Sequence, residues 1–114
     1  MTVLIVDDHE GFRSSARVLL EADGYRVVGE AADGKSGLRA AAELHPDVVL
    51  LDVQLPDIDG FDVAARLATG DGPQVVLISS REFGGSDPRV RRSGALGFVL
   101  KDELSGEALA AVLG

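Results

Sequence analysis

Short apolar runs alternate with longer amphipathic stretches along the chain. Val3-Leu4-Ile5-Val6, Val48-Val49-Leu50-Leu51, Val75-Val76-Leu77-Ile78 and Phe98-Val99-Leu100 read as strands, with a fifth over residues 26–31. The intervening segments carry helical periodicity. The first spans about residues 11–22, with Phe12, Ala16, Val18, Leu19 and Leu20 as its apolar face and Gly24 as its stop. The second, residues 35–44, is capped by Asp33 and ended by His45-Pro46, since the residue before a proline is pushed out of the helical region. A third runs from Asp59, with Asp62 three residues on in a capping arrangement, to about Ala68, and the last covers residues 103–113. Strands one, three and four are expected over residues 2–7, 47–52 and 74–79, and the fifth over 97–100. Alternation of this kind is the signature of βαβ units around a parallel sheet.

The fourth helix departs from the pattern. Arg81 to Pro88 contains Gly84-Gly85 and a proline, which cost roughly 1 and 3 kcal/mol per residue in a helix interior. The helix is therefore expected late and short, residues 88–93, with Asp87 as N-cap and Pro88 at its first position. Residues 83–87 are expected to form a mobile loop.

Four of the five strands end in a reactive polar group: Asp7-Asp8, Asp52, Ser79 and Lys101. Open parallel sheets place their ligand crevice at the carboxyl ends of the strands. Singly, an acid pair belongs to many turns, a serine to many strand ends, and a lysine to many surfaces. Jointly, each at the end of its own strand, they form a set suited to phosphoryl transfer. Three acids in one crevice repel one another unless a cation neutralises them, and Mg²⁺ takes one or two carboxylates plus a phosphate oxygen. Asp52, on the third strand, is the expected nucleophile; an ammonium and a hydroxyl can hold the incoming phosphoryl oxygens.

Composition narrows the partners. The 114 residues suffice for one core and make one domain, 1–114. A formal net charge of -8 opposes direct nucleic-acid binding, so proteins are the expected partners. The chain has no cysteine, which excludes disulfides, thiolate metal sites and a cysteine nucleophile. The start at Met1-Thr2 leads into a strand rather than a signal segment, and no apolar run approaches the roughly 18 residues of a membrane span. A cytoplasmic protein is expected.

At this point the chain resembles the receiver domain of two-component response regulators over essentially its whole length. The marks are Asp7-Asp8, Asp52 closing Val-Val-Leu-Leu-Asp, Pro56, Asp59-Gly60, Ser79-Ser80 and Gly97-Phe98-Val99-Leu100-Lys101. Their spacing is 44 residues from Asp8 to Asp52, 27 on to Ser79 and 22 on to Lys101. The resemblance implies a doubly wound, flavodoxin-like (βα)5 fold with strand order 2-1-3-4-5. It implies Asp52 as phosphoacceptor, and Asp7, Asp8, Asp52 and the backbone carbonyl of Gln54 around Mg²⁺. It also implies Ser79 as switch hydroxyl, Lys101 as phosphate-binding lysine and Phe98 as switch aromatic. The phosphodonor would be a sensor histidine kinase or phosphotransfer protein. Phosphorylation would add about -1.5 to -2 charge and rearrange the surface of the fourth helix, fifth strand and fifth helix, toward a partner, an output domain or a second copy.

Lys101-Asp102 resembles the subgroup whose receivers precede a helix-turn-helix output domain. No such domain follows Gly114, so the expectation is a stand-alone receiver or a piece of a longer regulator. Arg81, Arg89, Arg91 and Arg92 could make a partner surface or simply a solvated helix face. His9 and His45 are expected as loop and helix-end residues without a metal-ligand partner. Three alternatives stay open: a phosphorylation-independent receiver-like interaction module, an aspartyl-phosphate phosphatase and a nucleotide-binding domain. The phosphatase family carries Asp-x-Asp, where His9 here replaces the second acid; for nucleotide binding, Asp7-Asp8-His9-Glu10 would repel a pyrophosphate. The receiver reading is not an enzyme beyond modest self-catalysed transfer and hydrolysis.

Overall fold

A computed structural model describes residues 1–80 and 87–114. In chain order the elements are β1 (Thr2–Val6), α1 (Glu10–Ala22), β2 (Arg26–Ala31), α2 (Gly34–Leu44), β3 (Val48–Asp52), α3 (Gly60–Leu67), β4 (Gln74–Ser79), α4 (Pro88–Arg92), β5 (Gly97–Leu100), a 3-10 turn (Lys101–Glu103) and α5 (Gly106–Leu113). The strands form one parallel sheet in the order β2-β1-β3-β4-β5. The expected doubly wound order is therefore observed.

Alternation within the apolar runs builds two cores, because successive strand side chains face opposite sides of a sheet. Leu4, Val6, Val49, Leu51, Val75 and Leu77 meet Ala41 of α2, Val63, Ala64 and Leu67 of α3, and Val90 of α4. Val3, Ile5, Val48, Leu50, Val76 and Ile78 meet Ala16 and Leu20 of α1 and Leu109 of α5. The three central strands are buried on both faces, which is why they read as unbroken apolar runs.

Local chemistry sets the helix ends. Asp33 accepts from the Ser36 amide at 2.8 Å while the Ser36 hydroxyl reaches back to the Asp33 amide, a reciprocal capping box. His45 ends α2 in the left-handed region, φ 47°, ahead of Pro46. Asp59 caps α3 through the Phe61 amide at 2.7 Å. Asp87 caps α4 with Pro88 at the first position, and α4 is the short helix expected.

Three details differ from expectation. Val18 does not join the core; it is 71% exposed, because it falls off the stripe traced by Phe12, Ala16, Leu19 and Leu20. The last helix begins at Gly106 rather than residue 103: Lys101–Glu103 closes a separate 3-10 turn, and the Ser105 hydroxyl caps α5 by accepting from the Ala108 amide at 2.9 Å. The first strand stops one residue early, so that Asp7 lies just past β1. The expected loop at residues 83–87, apart from Asp87, and Arg81 lie outside the described residues.

Candidate functional site

The sheet register brings the strand ends together. Ile5 pairs with Leu50 and Val6 with Leu51, so Asp7 and Asp52 follow at the same level on adjacent strands. Asp52 pairs with Ile78 and Ser79 with Leu100, which brings Ser79 and Lys101 to the same end of the sheet. Asp7, Asp52 and Ser79 are buried, whereas Asp8 is exposed at the rim.

Lys101 ties the two buried acids. Its Nζ lies 2.5 Å from Asp7 Oδ2 and donates to Asp52 Oδ2 at 3.3 Å. The contact to the fully buried Asp7 is the closer of the two ion pairs. Burial opposes the Lys101 ammonium, but Asp7 and Asp52 more than offset it and hold its pKa above the ordinary lysine value. For Asp52 burial prevails. It pushes the carboxyl up, with Asp7 adding to the effect, against the Gln54 amide (3.1 Å from Asp52 Oδ1) and Lys101.

Helix α1 contributes three residues that strand-end logic does not find. Phe12 lies under the Lys101 ammonium, 4.7 Å from ring centroid to Nζ. Arg13 Nη1 donates to the backbone carbonyl of Asp7 at 2.6 Å while its Nε binds Glu30 on β2 at 3.1 Å. His9 is not the unpartnered loop residue expected. Its Nδ1 lies 3.1 Å from Asp7 Oδ1 and 3.0 Å from Asp8 Oδ1. The readable signal was position, since His9 occupies the N-cap of the helix that follows the acid pair and Phe12 and Arg13 lie near its start.

The other anticipated residues have distinct settings. Gln54 is exposed, beside Asp52 through its amide. The loop carrying it is clasped to α2: Asp57 Oδ1 accepts from the Gly34 amide at 2.7 Å and Oδ2 from the Lys35 amide at 3.0 Å. Phe98 is half-buried against the core and lines a groove with Asp87, Val90, Arg91 and Leu96. Arg89 stacks over Phe61 at 4.9 Å and pairs with Asp87 at 2.9 Å, while Arg91 and Arg92 are exposed. His45 is a helix end, as expected.

One ligand atom from each of Asp7, Asp8, His9 and Asp52 falls within 4.8 Å of the others. Carboxylate oxygens are the donors a hard divalent cation prefers, and Asp7, Asp8 and Asp52 supply three of them. The residues present therefore fit Mg²⁺.

The chain is similar to known proteins in sequence and in fold. The model of the response regulator receiver domain matches residues 3–113. A putative transcriptional regulator of Pseudomonas aeruginosa is 43% identical, over 96% of this chain and 53% of its own length. The virulence-factor transcription regulator BvgA of Bordetella pertussis, a putative positive regulator, is 42% identical over 89% of this chain and 49% of its own. The chain thus spans about half the length of these curated relatives. The signal receiver domain of the putative response regulator NarL from Mycobacterium tuberculosis superposes with a TM-score of 0.86 at 36% identity, covering 99% of this chain and 96% of that one.

Proposed function

The chain belongs to the response regulator receiver family, and from that membership we propose that Asp52 accepts a phosphoryl group from the phosphohistidine of a sensor kinase or phosphotransfer protein. The observation that carries the reading is the Lys101 ammonium shared between two buried carboxylates at the strand ends. Asp52 attacks phosphorus, the bond to the donor imidazole nitrogen breaks, and an aspartyl phosphate results. Burial makes the Asp52 carboxylate more basic and so a better nucleophile, while Lys101 favours its ionised form.

Asp7, Asp8, Asp52 and the Gln54 carbonyl would hold Mg²⁺, which supplies neutralisation of the phosphoryl oxygens. Lys101 exchanges its carboxylate partners for a phosphoryl oxygen, and the Ser79 hydroxyl donates to another. Movement of Ser79 would draw Phe98 inward from the groove that it shares with α4. The surface of α4, β5 and α5 is then the switching face, toward an output domain, a partner or a second copy. The same reading makes residues 1–114 one cytoplasmic receiver unit that binds no nucleic acid itself. No helix of the described residues is long and apolar enough to cross a membrane. Catalysis would be limited to its own phosphorylation and dephosphorylation.

The test is intact mass after incubation with a small-molecule phosphodonor, with and without Mg²⁺. A single Mg²⁺-dependent phosphoryl adduct, absent in Asp52→Asn, is the expected result. No adduct under any condition would favour a phosphorylation-independent interaction module.

A further inference from the structure

His9 occupies the N-cap of α1 yet makes no side-chain capping hydrogen bond. Histidine is a poor choice there compared with Ser, Thr, Asp or Asn. Its ring turns instead to the acids, with Nδ1 3.1 Å from Asp7 Oδ1 and 3.0 Å from Asp8 Oδ1. Two donors on a cis edge of an octahedron with bonds of about 2.1 Å stand about 3.0 Å apart. The imidazole nitrogen therefore already lies at ligand spacing from two carboxylates.

We infer that His9 is a nitrogen ligand of the acidic crevice, which equips this site for a first-row transition cation such as Mn²⁺, Co²⁺ or Ni²⁺ as well as Mg²⁺. The inference rests on the reading above, that Asp7 and Asp8 hold a divalent cation, and adds to it which metals are favoured. Imidazole binds Ni²⁺ and Co²⁺ well, Mn²⁺ less strongly and Mg²⁺ weakly, whereas carboxylates serve them all. In the metal-free protein the Nδ1 tautomer that donates to the acids suits the geometry. To ligate, the ring needs only to carry its proton on Nε2. The His9 side chain is 68% exposed, so water can solvate that second nitrogen. The ring's exposure also leaves room for it to adjust by a few tenths of an ångström without disturbing the core.

Calorimetric titration of the untagged chain with MgCl₂ and with NiCl₂ tests this, comparing wild type with His9→Ala and His9→Asn. The asparagine variant retains a good N-cap, which separates ligation from helix stability. Nickel affinity is expected to fall at least tenfold in both variants while magnesium affinity changes less than twofold. Pulsed electron paramagnetic resonance of the Mn²⁺-loaded protein should show coupling to ¹⁴N, lost in the His9 variants and kept in His45→Ala; the chain has two histidines. Equal losses for both metals, or no nitrogen coupling in wild type, would overturn the inference. The phosphoacceptor reading fails separately, by absence of the Asp52 adduct.

Discussion

Arg13 holds the backbone of Asp7: its Nη1 donates to the Asp7 carbonyl at 2.6 Å while its Nε is anchored by Glu30 across on β2. Arg17 binds the other Glu30 oxygen at 2.8 Å, so the acid turn is braced against the edge strand by a three-residue ionic network. The guanidinium reaches these two separated acceptors from two different nitrogens in a fixed plane, whereas a lysine offers a single nitrogen. Arg13→Ala is expected to cost roughly 1.5–3 kcal/mol in urea unfolding and to weaken Mg²⁺ binding severalfold. Arg13→Lys should restore less than half of either. Full recovery in the lysine variant would show that charge alone suffices.

Asp52 carries a pH signature. Its folded pKa is raised, so the folded chain holds that proton more tightly than the unfolded chain. The favourable contribution is present below about pH 4, the unfolded carboxylate value, and is lost as pH rises through the raised one. At neutral pH the ionised group therefore weighs against the metal-free fold. In EDTA, Asp52→Asn is expected to raise Tm by about 2–6 °C at pH 7.5, with the gain shrinking toward pH 4. Added Mg²⁺ should stabilise wild type more than the variant.

Asp57 has the opposite sign. The Lys35 amide, followed by those of Gly34 and Ile58, holds its carboxyl below the ordinary value. Its contribution is present above about pH 4 and is lost as pH falls through the lowered value. The stability difference between wild type and Asp57→Ala should be flat from about pH 5 to 8 and collapse in acid. Amide exchange at Gly34 and Lys35 should quicken in the variant at neutral pH.

Gly60 permits α3 to begin against the end of β3. A Cβ at this position would collide with the Asp52 carbonyl oxygen and stand 2.5 Å from Val53 Cα, both backbone atoms that cannot yield locally. Gly60→Ala is expected to destabilise the fold by about 3 kcal/mol or more in urea unfolding. A loss under about 1 kcal/mol would mean that the helix can start one residue later at little expense.

The limits of β2, β4 and β5 matched the expected ranges to the residue, because Gly24, Pro73 and Gly94 punctuate the chain shortly before each of them. Asp7, Asp52, Ser79 and Lys101 were legible for a related reason: parallel strands of similar length must end together. Arg13, Phe12 and His9 were not, since their partners lie across a helix turn and no strand period points to them. Ser105 was missed because Asp102-Glu103 imitates an acidic first helical turn, whereas the chain spends those residues on a 3-10 turn. Val18 shows how one apolar residue beside a stripe can pass for part of it.

Lys101 follows the last strand of the sheet, whereas the acids that it neutralises follow the first and the third. A nascent chain leaves the ribosome N-terminus first and can pair β1 with β3 well before β5 exists. Such an intermediate would set Asp7 beside Asp52 with no ammonium between them, and so would be penalised at the point where the finished sheet is held together. Because the ammonium arrives from 49 residues beyond Asp52, partial sheets gain little from forming early. The charges that serve chemistry in the complete protein thereby make its assembly closer to all-or-none.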